Sequence, residues 1–273
     1  MPEGPEIKIA ADKIAKAIAQ KPITEIFFAF EHLKPYEEIL AKQLITRVDT
    51  RGKAMLIRFD NGLSIYTHNQ LYGKWIIRQA YNYPETKRQL RLAIHNEQKS
   101  ALLYSASDID ILDEDAIAIH PFLSRLGLDV LDSKITPKKV AARLLNKTFY
   151  RRRFTSLFLD QRFLAGVGNY LRSEILFVAR IYPTLRPVDC SKEQISALAK
   201  AAIQVPQQSY QTQGITNDLK LVRRLKEQGY TRQNYRHWVF GREDRPCYIC
   251  NTPIVKEISG SRRYYFCPYC QLI

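Results

Sequence analysis

Long apolar runs are absent from this sequence of 273 residues. No segment approaches the roughly 18 consecutive apolar residues that a membrane helix needs, and the N-terminus has no apolar signal-peptide core. Internal repeats and low-complexity segments are also missing, which excludes a repeat architecture. These absences predict a cytoplasmic protein that makes no membrane contact.

Acidic residues are scarce in the second half of the chain. Residues 1–132 contain 17 Lys and Arg against 18 Asp and Glu, whereas residues 133–273 contain 25 against 9. The net charge of +15 therefore comes from the part beyond residue 132. Basic side chains gain affinity for phosphates by releasing counterions, so this distribution favours a polyanionic partner. A solvated basic surface without a partner is the alternative.

Cysteine is rare as well, and four of the five cysteines are clustered. Cys247-x2-Cys250 is followed, after sixteen residues, by Cys267-x2-Cys270. This spacing is typical of a zinc site with four thiolate ligands, which leaves no coordination position for water and is therefore structural. Two disulfides are the alternative, but they require an oxidising compartment. Cys190 is expected to be an ordinary half-buried residue.

The first half reads as one helix followed by strands. Residues 3–19 carry Ile and Ala at helical spacing, with Pro5 in the first turn. Seven short segments rich in β-branched and aromatic residues follow, and turn signals separate them. These segments are residues 23–30, 43–50, 54–59, 63–68, 74–79, 90–95 and 101–106. They predict an antiparallel sandwich or barrel, which the acidic stretch DIDILDEDA connects to the second half.

The second half reads as helical. The expected helices are residues 137–146, 156–164, 170–180 and 191–204. Residues 211–236 are polar and basic, and they predict a mobile loop that contains one helix at 218–228. The segment between the cysteine pairs predicts a β-hairpin with Gly260 and Ser261 at its turn. Three domains are therefore expected, at residues 1–132, 133–240 and 241–273.

Two features of the second half suit phosphate groups. Gly166 and Gly168 permit close backbone approach, and the helix that follows them offers free N–H groups to an anion. Arg262 and Arg263 follow the hairpin turn, where a basic pair can enter a DNA groove or bind a phosphate. A turn without a ligand and a solvated hairpin tip are the alternatives.

The first six residues, MPEGPE, point to a nucleophile. A start methionine before proline is normally removed, so the mature chain is expected to begin with the secondary amine of Pro2. An α-amino group titrates at about pH 7.7–8.0 and a lysine at about 10.4. At neutral pH, roughly a tenth of the former is therefore unprotonated, against about 0.04% of the latter. Only the unprotonated amine is nucleophilic.

A family resemblance connects these features. MPEGPE, TRGKAMLI, HNQLYGKW, DQRFLAGVGNYLRSEIL and the four-cysteine finger resemble the Fpg/Nei family of DNA glycosylases, and within it the endonuclease VIII type. The resemblance runs along nearly the whole chain. It implies a multidomain α+β fold: an N-terminal antiparallel β-sandwich with an N-terminal helix, a helix-two-turn-helix domain, a C-terminal zinc-finger β-hairpin, and a DNA cleft between domains.

The same resemblance implies a function. The expected enzyme is a bifunctional DNA glycosylase and AP lyase that excises oxidised pyrimidines from damaged duplex DNA in base excision repair. A Schiff base on Pro2 and strand cleavage by β,δ-elimination are expected. The resemblance also implies one structural Zn²⁺, no organic cofactor and a monomeric state. In a prokaryote, we expect the enzyme to associate with the nucleoid.

Site residues are implied position by position. Pro2 resembles the nucleophile, Glu3 its general acid/base partner, and Lys53 a catalytic lysine near the scissile nucleotide. The implied DNA-binding residues are His68, Gln70, Leu71, Tyr72, Asn169 and Arg262. Of these, Gln70, Leu71 and Tyr72 resemble a wedge that fills the gap left by a flipped base. Arg263 has no assigned role, and Glu6 and Glu174 resemble supporting carboxylates.

The sequence departs from the family pattern in one segment. Residues 211–236 are longer and more basic than the corresponding loop of endonuclease VIII. Two other functions stay open: a formamidopyrimidine-type glycosylase for oxidised purines, and a non-enzymatic zinc-containing DNA-binding protein. The contiguous Gln-Leu-Tyr wedge favours the pyrimidine enzyme over the purine enzyme.

Overall fold

The computed structural model describes residues 2–271. The chain forms two compact units. The first unit holds Pro2 and Glu6–Arg125, and the second holds Glu3–Pro5 and the chain from Leu126 onward. The finer division into three domains stays a prediction.

Strands dominate the first unit. Those within residues 6–125 are β1 (Glu25–Phe28), β2 (Ile45–Arg51), β3 (Ala54–Phe59), β4 (Ser64–His68), β5 (Lys74–Gln79), β6 (Leu90–His95), β7 (Lys99–Tyr104) and β8 (Asp108–Leu112). They form two antiparallel sheets, in the orders β1-β6-β7-β5 and β2-β3-β4-β8. Side chains of both sheets share one apolar core. The sandwich is therefore confirmed.

Three helices of residues 2–271 lie wholly or mostly in this unit: α1 (Gly4–Ile18), α2 (Tyr36–Ala41) and α3 (Glu114–Ile119). Helix α1 buries Ile7, Ala11, Ile14 and Ile18 in the shared core. These residues recur at helical spacing, so one face of α1 is apolar. The expected N-terminal helix is confirmed.

Strand β8 corrects the expected acidic connection. In DIDILDEDA, residues Asp108–Leu112 pair with β4, and Asp108 lies opposite His68. Ile109 is buried in the core, whereas Asp110 on the next position is half-buried. Apolar and polar residues therefore alternate along β8, as they do in a strand with one buried face. The polar residues are aspartates, which are uncommon in strands, so the sequence pattern was not recognised as a strand.

Helices dominate the second unit. Those within residues 126–271 are α4 (Pro137–Leu144), α5 (Phe154–Leu157), α6 (Asn169–Val178), α7 (Lys192–Gln211), α8 (Leu219–Glu227) and α9 (Arg232–Tyr235). Short strands β9 (Leu128–Asp129) and β10 (Leu164–Ala165) pair in parallel. Strands β11 (Val255–Ser259) and β12 (Arg262–Phe266) form the expected hairpin, with Gly260 and Ser261 between them.

Two helix predictions need correction. The helix expected at 156–164 is wrong beyond Leu157, because Asp160 accepts the Arg162 backbone N–H at 2.9 Å and closes a turn. The helix expected at 191–204 runs on to Gln211 and contains Pro206. Proline lacks a backbone N–H and normally ends a helix, which explains the early expected end.

The segment expected to be a mobile loop is folded. Helix α8 confirms the helix expected at 218–228, and its apolar side chains pack with Ile215 and Tyr235. Asn217 is buried and donates to the Tyr235 carbonyl at 2.9 Å. These contacts join residues far apart in the sequence, so local periodicity could not reveal them. None of the helices in residues 2–271 is long and apolar enough to cross a membrane.

Candidate active site and nucleic-acid interface

The start of helix α6 receives the side chain of Glu3. This side chain is 3% exposed. It accepts hydrogen bonds from the backbone N–H groups of Gly168 at 2.7 Å, Tyr170 at 2.9 Å and Leu171 at 3.2 Å. The first N–H groups of a helix have no partner within the helix and carry partial positive charge. They therefore stabilise an ionised carboxylate at this position.

Glycine is required at the turn before α6. A Cβ atom on Gly168 would stand 2.4 Å from Cδ of Glu3, so only glycine leaves room for the carboxylate. Gly166 has φ of +93°, a conformation that side chains disfavour. Its carbonyl accepts the Gly4 N–H at 2.8 Å. The two glycines that the sequence indicates therefore allow residues 3 and 4 to lie close to the turn before α6.

Pro2 adjoins this buried carboxylate. It precedes Glu3 in the chain and is half-exposed. Met1, whose removal the sequence predicts, lies outside the described residues. Pro2 is therefore partly accessible to solvent and is the chain neighbour of the buried Glu3.

Lys53 and His68 lie close together in the first unit. Lys53 is buried in the two-residue turn between β2 and β3, and the neighbouring Ala54 pairs with His68. Burial lowers the pKa of His68 below its ordinary value, and the Lys53 cation lowers it further, whereas Asp108 opposes both. The Gln70 N–H donates to Nδ1 of His68 at 3.1 Å. The neutral ring therefore carries its proton on Nε2.

The expected wedge is an exposed turn between β4 and β5. Leu71 is 54% exposed and Tyr72 is 67% exposed, whereas apolar side chains of this size are usually buried. Gln70 has φ of +45°, and the Gly73 N–H closes the turn on the Asn69 carbonyl at 2.8 Å. The three wedge residues thus stand together on a tight turn.

Two residues that sequence reasoning missed support this turn. Arg88 donates to the Tyr72 carbonyl at 2.6 Å, and Ser107 donates to Oε1 of Gln70 at 3.2 Å. Both come from segments distant in the sequence, and no motif marks either one. The turn is therefore held at both ends by hydrogen bonds.

Helix α6 also holds the hairpin. Asn169 is its first residue, and Arg262 is exposed at the start of β12. Arg172 is fully buried and donates to the Thr155 and Arg263 carbonyls, the latter at 2.7 Å. The Ser173 hydroxyl accepts the backbone N–H of Tyr265 in β12. Burial lowers the pKa of Arg172 to about 10, and the charge of Glu3 opposes this shift.

Arg172 is a further residue that sequence reasoning missed. Its signal is an arginine inside YLRSEILFV, a helical run that is otherwise mostly apolar. A charged side chain in such a run is retained when it has buried partners. Here it fixes the backbone beside Arg262, so it positions the basic pair of the hairpin.

Glu174, on the same helix, is at the centre of a buried hydrogen-bond network. It accepts backbone N–H groups from Trp238 at 2.8 Å and from Val239 and Phe240 at 2.9 Å each, together with the hydroxyl of Thr216. Burial raises the pKa of Glu174, whereas these four donors favour the ionised form. This carboxylate connects α6 to the segment that leads into the cysteine cluster.

His237 extends this hydrogen-bond network. Its Nδ1 lies 2.9 Å from the Thr216 hydroxyl oxygen, which already donates to Glu174, so Nδ1 carries the proton. The ring stacks on Tyr170 with centroids 5.2 Å apart. Burial lowers the pKa of His237 to about 3. Glu6, the other expected supporting carboxylate, is half-buried in the first turn of α1.

The four clustered cysteines form a group whose geometry fits a metal ion. Their sulfur atoms all lie within 4.8 Å of one another, with 3.9 Å between Cys247 and Cys270 and 3.3 Å between Cys250 and Cys267. Tetrahedral coordination at about 2.3 Å puts sulfur atoms about 3.8 Å apart, so the cluster fits one metal ion. All four thiols are free. The disulfide alternative therefore finds no support.

Cys190 is half-buried, as expected. Its thiol donates to the Arg186 carbonyl at 3.4 Å, and burial raises its pKa to about 11. A thiol held in this way is a poor nucleophile at neutral pH.

Family comparisons define the class of protein. Residues 1–106 match the formamidopyrimidine-DNA glycosylase N-terminal domain, and residues 126–220 match the formamidopyrimidine-DNA glycosylase H2TH domain. The chain is 46% identical over 271 residues to Endonuclease 8 of Salmonella schwarzengrund, covering 99% of this chain and 100% of that protein. Endonuclease 8 of Salmonella enteritidis matches to the same extent. These matches define a DNA glycosylase with AP lyase activity.

Solved structures share the fold. Lactococcus lactis Fpg in complex with DNA containing N7-benzyl-Fapy-dG has a TM-score of 0.82 at 20% identity, with both chains covered completely. The complex of Lactococcus lactis Fpg with DNA containing an abasic site has a TM-score of 0.81 at 20% identity and covers 99% of this chain. The chain belongs to the Fpg/Nei family, and within it to the endonuclease VIII type.

Proposed function

We propose that this enzyme excises oxidised pyrimidines from duplex DNA and cleaves the strand by β,δ-elimination, with Pro2 as the nucleophile. The observation that carries the proposal is the geometry of Glu3. Its carboxylate is buried against three N–H groups at the start of α6, directly beside Pro2 in the chain. An N-terminal amine and a fixed carboxylate thus lie within one residue of each other.

The chemistry follows from the secondary amine. The unprotonated nitrogen of Pro2 attacks C1′ of the sugar, and the bond from C1′ to the base breaks, so that the base leaves with the bonding electron pair and takes a proton from water. Glu3 accepts the proton that the nitrogen loses and passes it to O4′ as the sugar ring opens. The product is an iminium cation, which makes the neighbouring C2′ proton acidic and leads to elimination of first the 3′ and then the 5′ phosphate.

We assign DNA contacts to residues of both units. A target base must leave the duplex before the amine can reach its sugar, at a cost of a few kcal/mol. We assign Gln70, Leu71 and Tyr72 to the vacated space, because an exposed apolar wedge can occupy a base step. Asn169 and Arg262 bind phosphates, and Lys53 and His68 contact the DNA near the lesion, Lys53 by its charge.

The four cysteines hold one structural Zn²⁺ in this proposal, and no organic cofactor is needed. Zinc accepts four thiolates without a geometric preference of its own, and the ion would fix the hairpin that carries Arg262. A chelator that removes the metal should unfold the hairpin and lower DNA affinity. Unchanged affinity in metal-free protein would contradict this assignment.

Blocking the amine tests the nucleophile. A variant that retains Met1, made by replacing Pro2 with a residue that prevents methionine removal, has no proline amine. We expect it to lose borohydride-trapped covalent complexes with lesion-containing duplex and to keep DNA binding. Trapping at the wild-type level would contradict the assignment of Pro2. It would mean that another amine of the protein forms the covalent complex.

A lesion panel tests the substrate class. We expect faster release of thymine glycol than of 8-oxoguanine paired with cytosine, measured as single-turnover base release. A strong preference for 8-oxoguanine would instead support the formamidopyrimidine type.

The remaining assignments concern the whole molecule. We propose three domains, at residues 1–132, 133–240 and 241–273, in a monomer that acts in the cytoplasm on damaged duplex DNA. Light scattering should give a mass close to that of one chain, 31.8 kDa. A mass of twice that value at micromolar concentration would contradict the monomer.

A further inference from the structure

Helix α8 exposes a row of cations. Lys220, Arg223 and Arg224 are all exposed. They stand on one face of the helix, because residues three and four positions apart are neighbours on a helix surface. Within residues 2–271, none of the three takes part in an ion pair.

The opposite face of α8 is anchored. Val222 and Leu225 are buried in a small apolar cluster. Asp218 caps the helix by accepting the Leu221 N–H at 2.8 Å. The three cations therefore stand on a fixed helix and not on a flexible loop, so a partner that binds them has little ordering entropy to overcome.

Helix α8 gains no ion pair from these cations. Lys220 faces Arg223 and Arg224, and like charges at these spacings repel one another, whereas α1 carries an ion pair between residues four positions apart. Glu227, which lies one turn beyond Arg223 and Arg224, forms no ion pair with either of them within residues 2–271. A polyanion that lies along the helix removes this repulsion and gains affinity by releasing counterions.

We propose that Lys220, Arg223 and Arg224 bind backbone phosphates of duplex DNA and add affinity that does not depend on the lesion. This inference rests on the proposed function, because it takes DNA as the substrate. It gives segment 211–236 a contact with the duplex backbone and not with the flipped base. Phosphate contacts position a protein on DNA and carry no base information.

The salt dependence of binding tests the proposal. Each phosphate contact contributes about −0.9 to the slope of log Kobs against log salt concentration. The triple variant Lys220→Gln, Arg223→Gln, Arg224→Gln should therefore lose about 2–3 from the magnitude of that slope. At ~0.15 M salt it should bind roughly ten- to a hundredfold more weakly. The probes are an undamaged duplex and the same duplex with a tetrahydrofuran abasic analogue.

Two further variants separate the proposal from simpler explanations. Lys220→Arg, Arg223→Lys, Arg224→Lys keeps the charges and should keep the wild-type slope. Lys138→Gln, Lys192→Gln, Lys200→Gln removes three exposed charges from α4 and α7 and should change the slope by less than one. An equal loss in this control would mean a general effect of net charge and would overturn the proposal.

The two probes distinguish backbone from base contacts. We expect both duplexes to lose affinity by the same factor, so that their ratio is unchanged. A loss confined to the damaged duplex would assign the cations to the lesion and overturn the proposal, as would an unchanged slope. Borohydride trapping is scored separately on the same variants. It should be unaffected at saturating protein, so failure of the Pro2 assignment is a distinct result.

Discussion

Two buried carboxylates lie along helix α6, Glu3 at its start and Glu174 in its middle, and they differ in what surrounds them. Glu3 accepts N–H groups of the helix itself and adjoins half-exposed Pro2. Glu174 belongs to the helix and accepts N–H groups of residues 238–240, with Thr216 and His237 completing a closed network. One carboxylate follows Pro2, the residue that we propose as the nucleophile, and the other joins segments of the fold.

The comparison shows that burial and hydrogen-bond count do not identify a catalytic carboxylate. Both side chains are almost completely buried, and each accepts three backbone N–H groups. What differs is the surroundings: Glu3 follows half-exposed Pro2, whereas Glu174 is linked through Thr216 to buried His237. Loss of Glu3 should therefore affect chemistry first, and loss of the Glu174 network should affect stability first.

Replacement of Glu3 should have the largest effect. Glu3→Gln keeps the shape of the side chain but cannot carry a proton between Pro2 and the sugar. We expect single-turnover release of thymine glycol to fall by about 10²–10⁴-fold, the usual contribution of a positioned acid or base. Circular dichroism would check that the variant is folded. A rate within threefold of wild type would mean that the two carboxylates do not differ in the proposed way.

Crowding the carboxylate should have the next largest effect. In Gly168→Ala, the new Cβ would stand 2.4 Å from Glu3 and force it out of the helix start. Misplacement of a catalytic group by about 1 Å costs on the order of 10²-fold, so we expect a ten- to hundredfold slower release. The control is Gly229→Ala, at φ of +78° with open space around it. It should cost about 1 kcal/mol of stability and leave the rate unchanged.

These two positions also show where sequence reasoning ends. The glycine turn, Asn169 and the cysteine spacing are local patterns, and the structure contains the elements that they predict. That Glu3 reaches a helix 165 residues away is a non-local contact, which no local pattern encodes. Arg172 and Arg88 were missed for the same reason, because their partners are carbonyl groups in distant segments.

The errors in secondary structure have a related cause. Strand β8 was hidden by its aspartates, and the fold of residues 211–236 depends on a few apolar side chains spread from Ile215 to Tyr235. Local propensity favours a loop at both places. Strand pairing in the first case and tertiary packing in the second outweigh it.

Breaking the Glu174 network should lower stability. Thr216→Val removes the hydroxyl that donates to Glu174 and accepts from His237, so that Glu174 loses one of its four donors and the Nδ1–H of His237 loses its acceptor. We expect the free energy of unfolding to fall by about 2 kcal/mol in urea denaturation. The matched control is Thr67→Val in β4, whose buried hydroxyl has no hydrogen-bond partner within residues 2–271. The control should be neutral or stabilising, and equal losses would contradict this account.

The Glu174 network should make the free energy of unfolding depend on pH. His237 has a pKa of about 3 in the folded protein, below the value of about 6.5 for the unfolded chain. The unfolded state therefore binds more protons between these values, and stability is complete above pH 6.5 and lost as the pH falls towards 3. His237→Gln should reduce this dependence by up to about 1.4 kcal/mol per pH unit. An unchanged slope between pH 6 and 4 would contradict the neutral buried histidine.

We propose that the amine of Pro2 bonds to the sugar while Glu3 accepts and returns the proton. Peptide mapping by mass spectrometry of the borohydride-reduced complex identifies the amine that carries the sugar. We expect the sugar adduct on the nitrogen of Pro2, in a peptide that begins with that residue. An adduct on the ε-amine of Lys53, or a trapped complex in which Met1 still precedes Pro2, would contradict it.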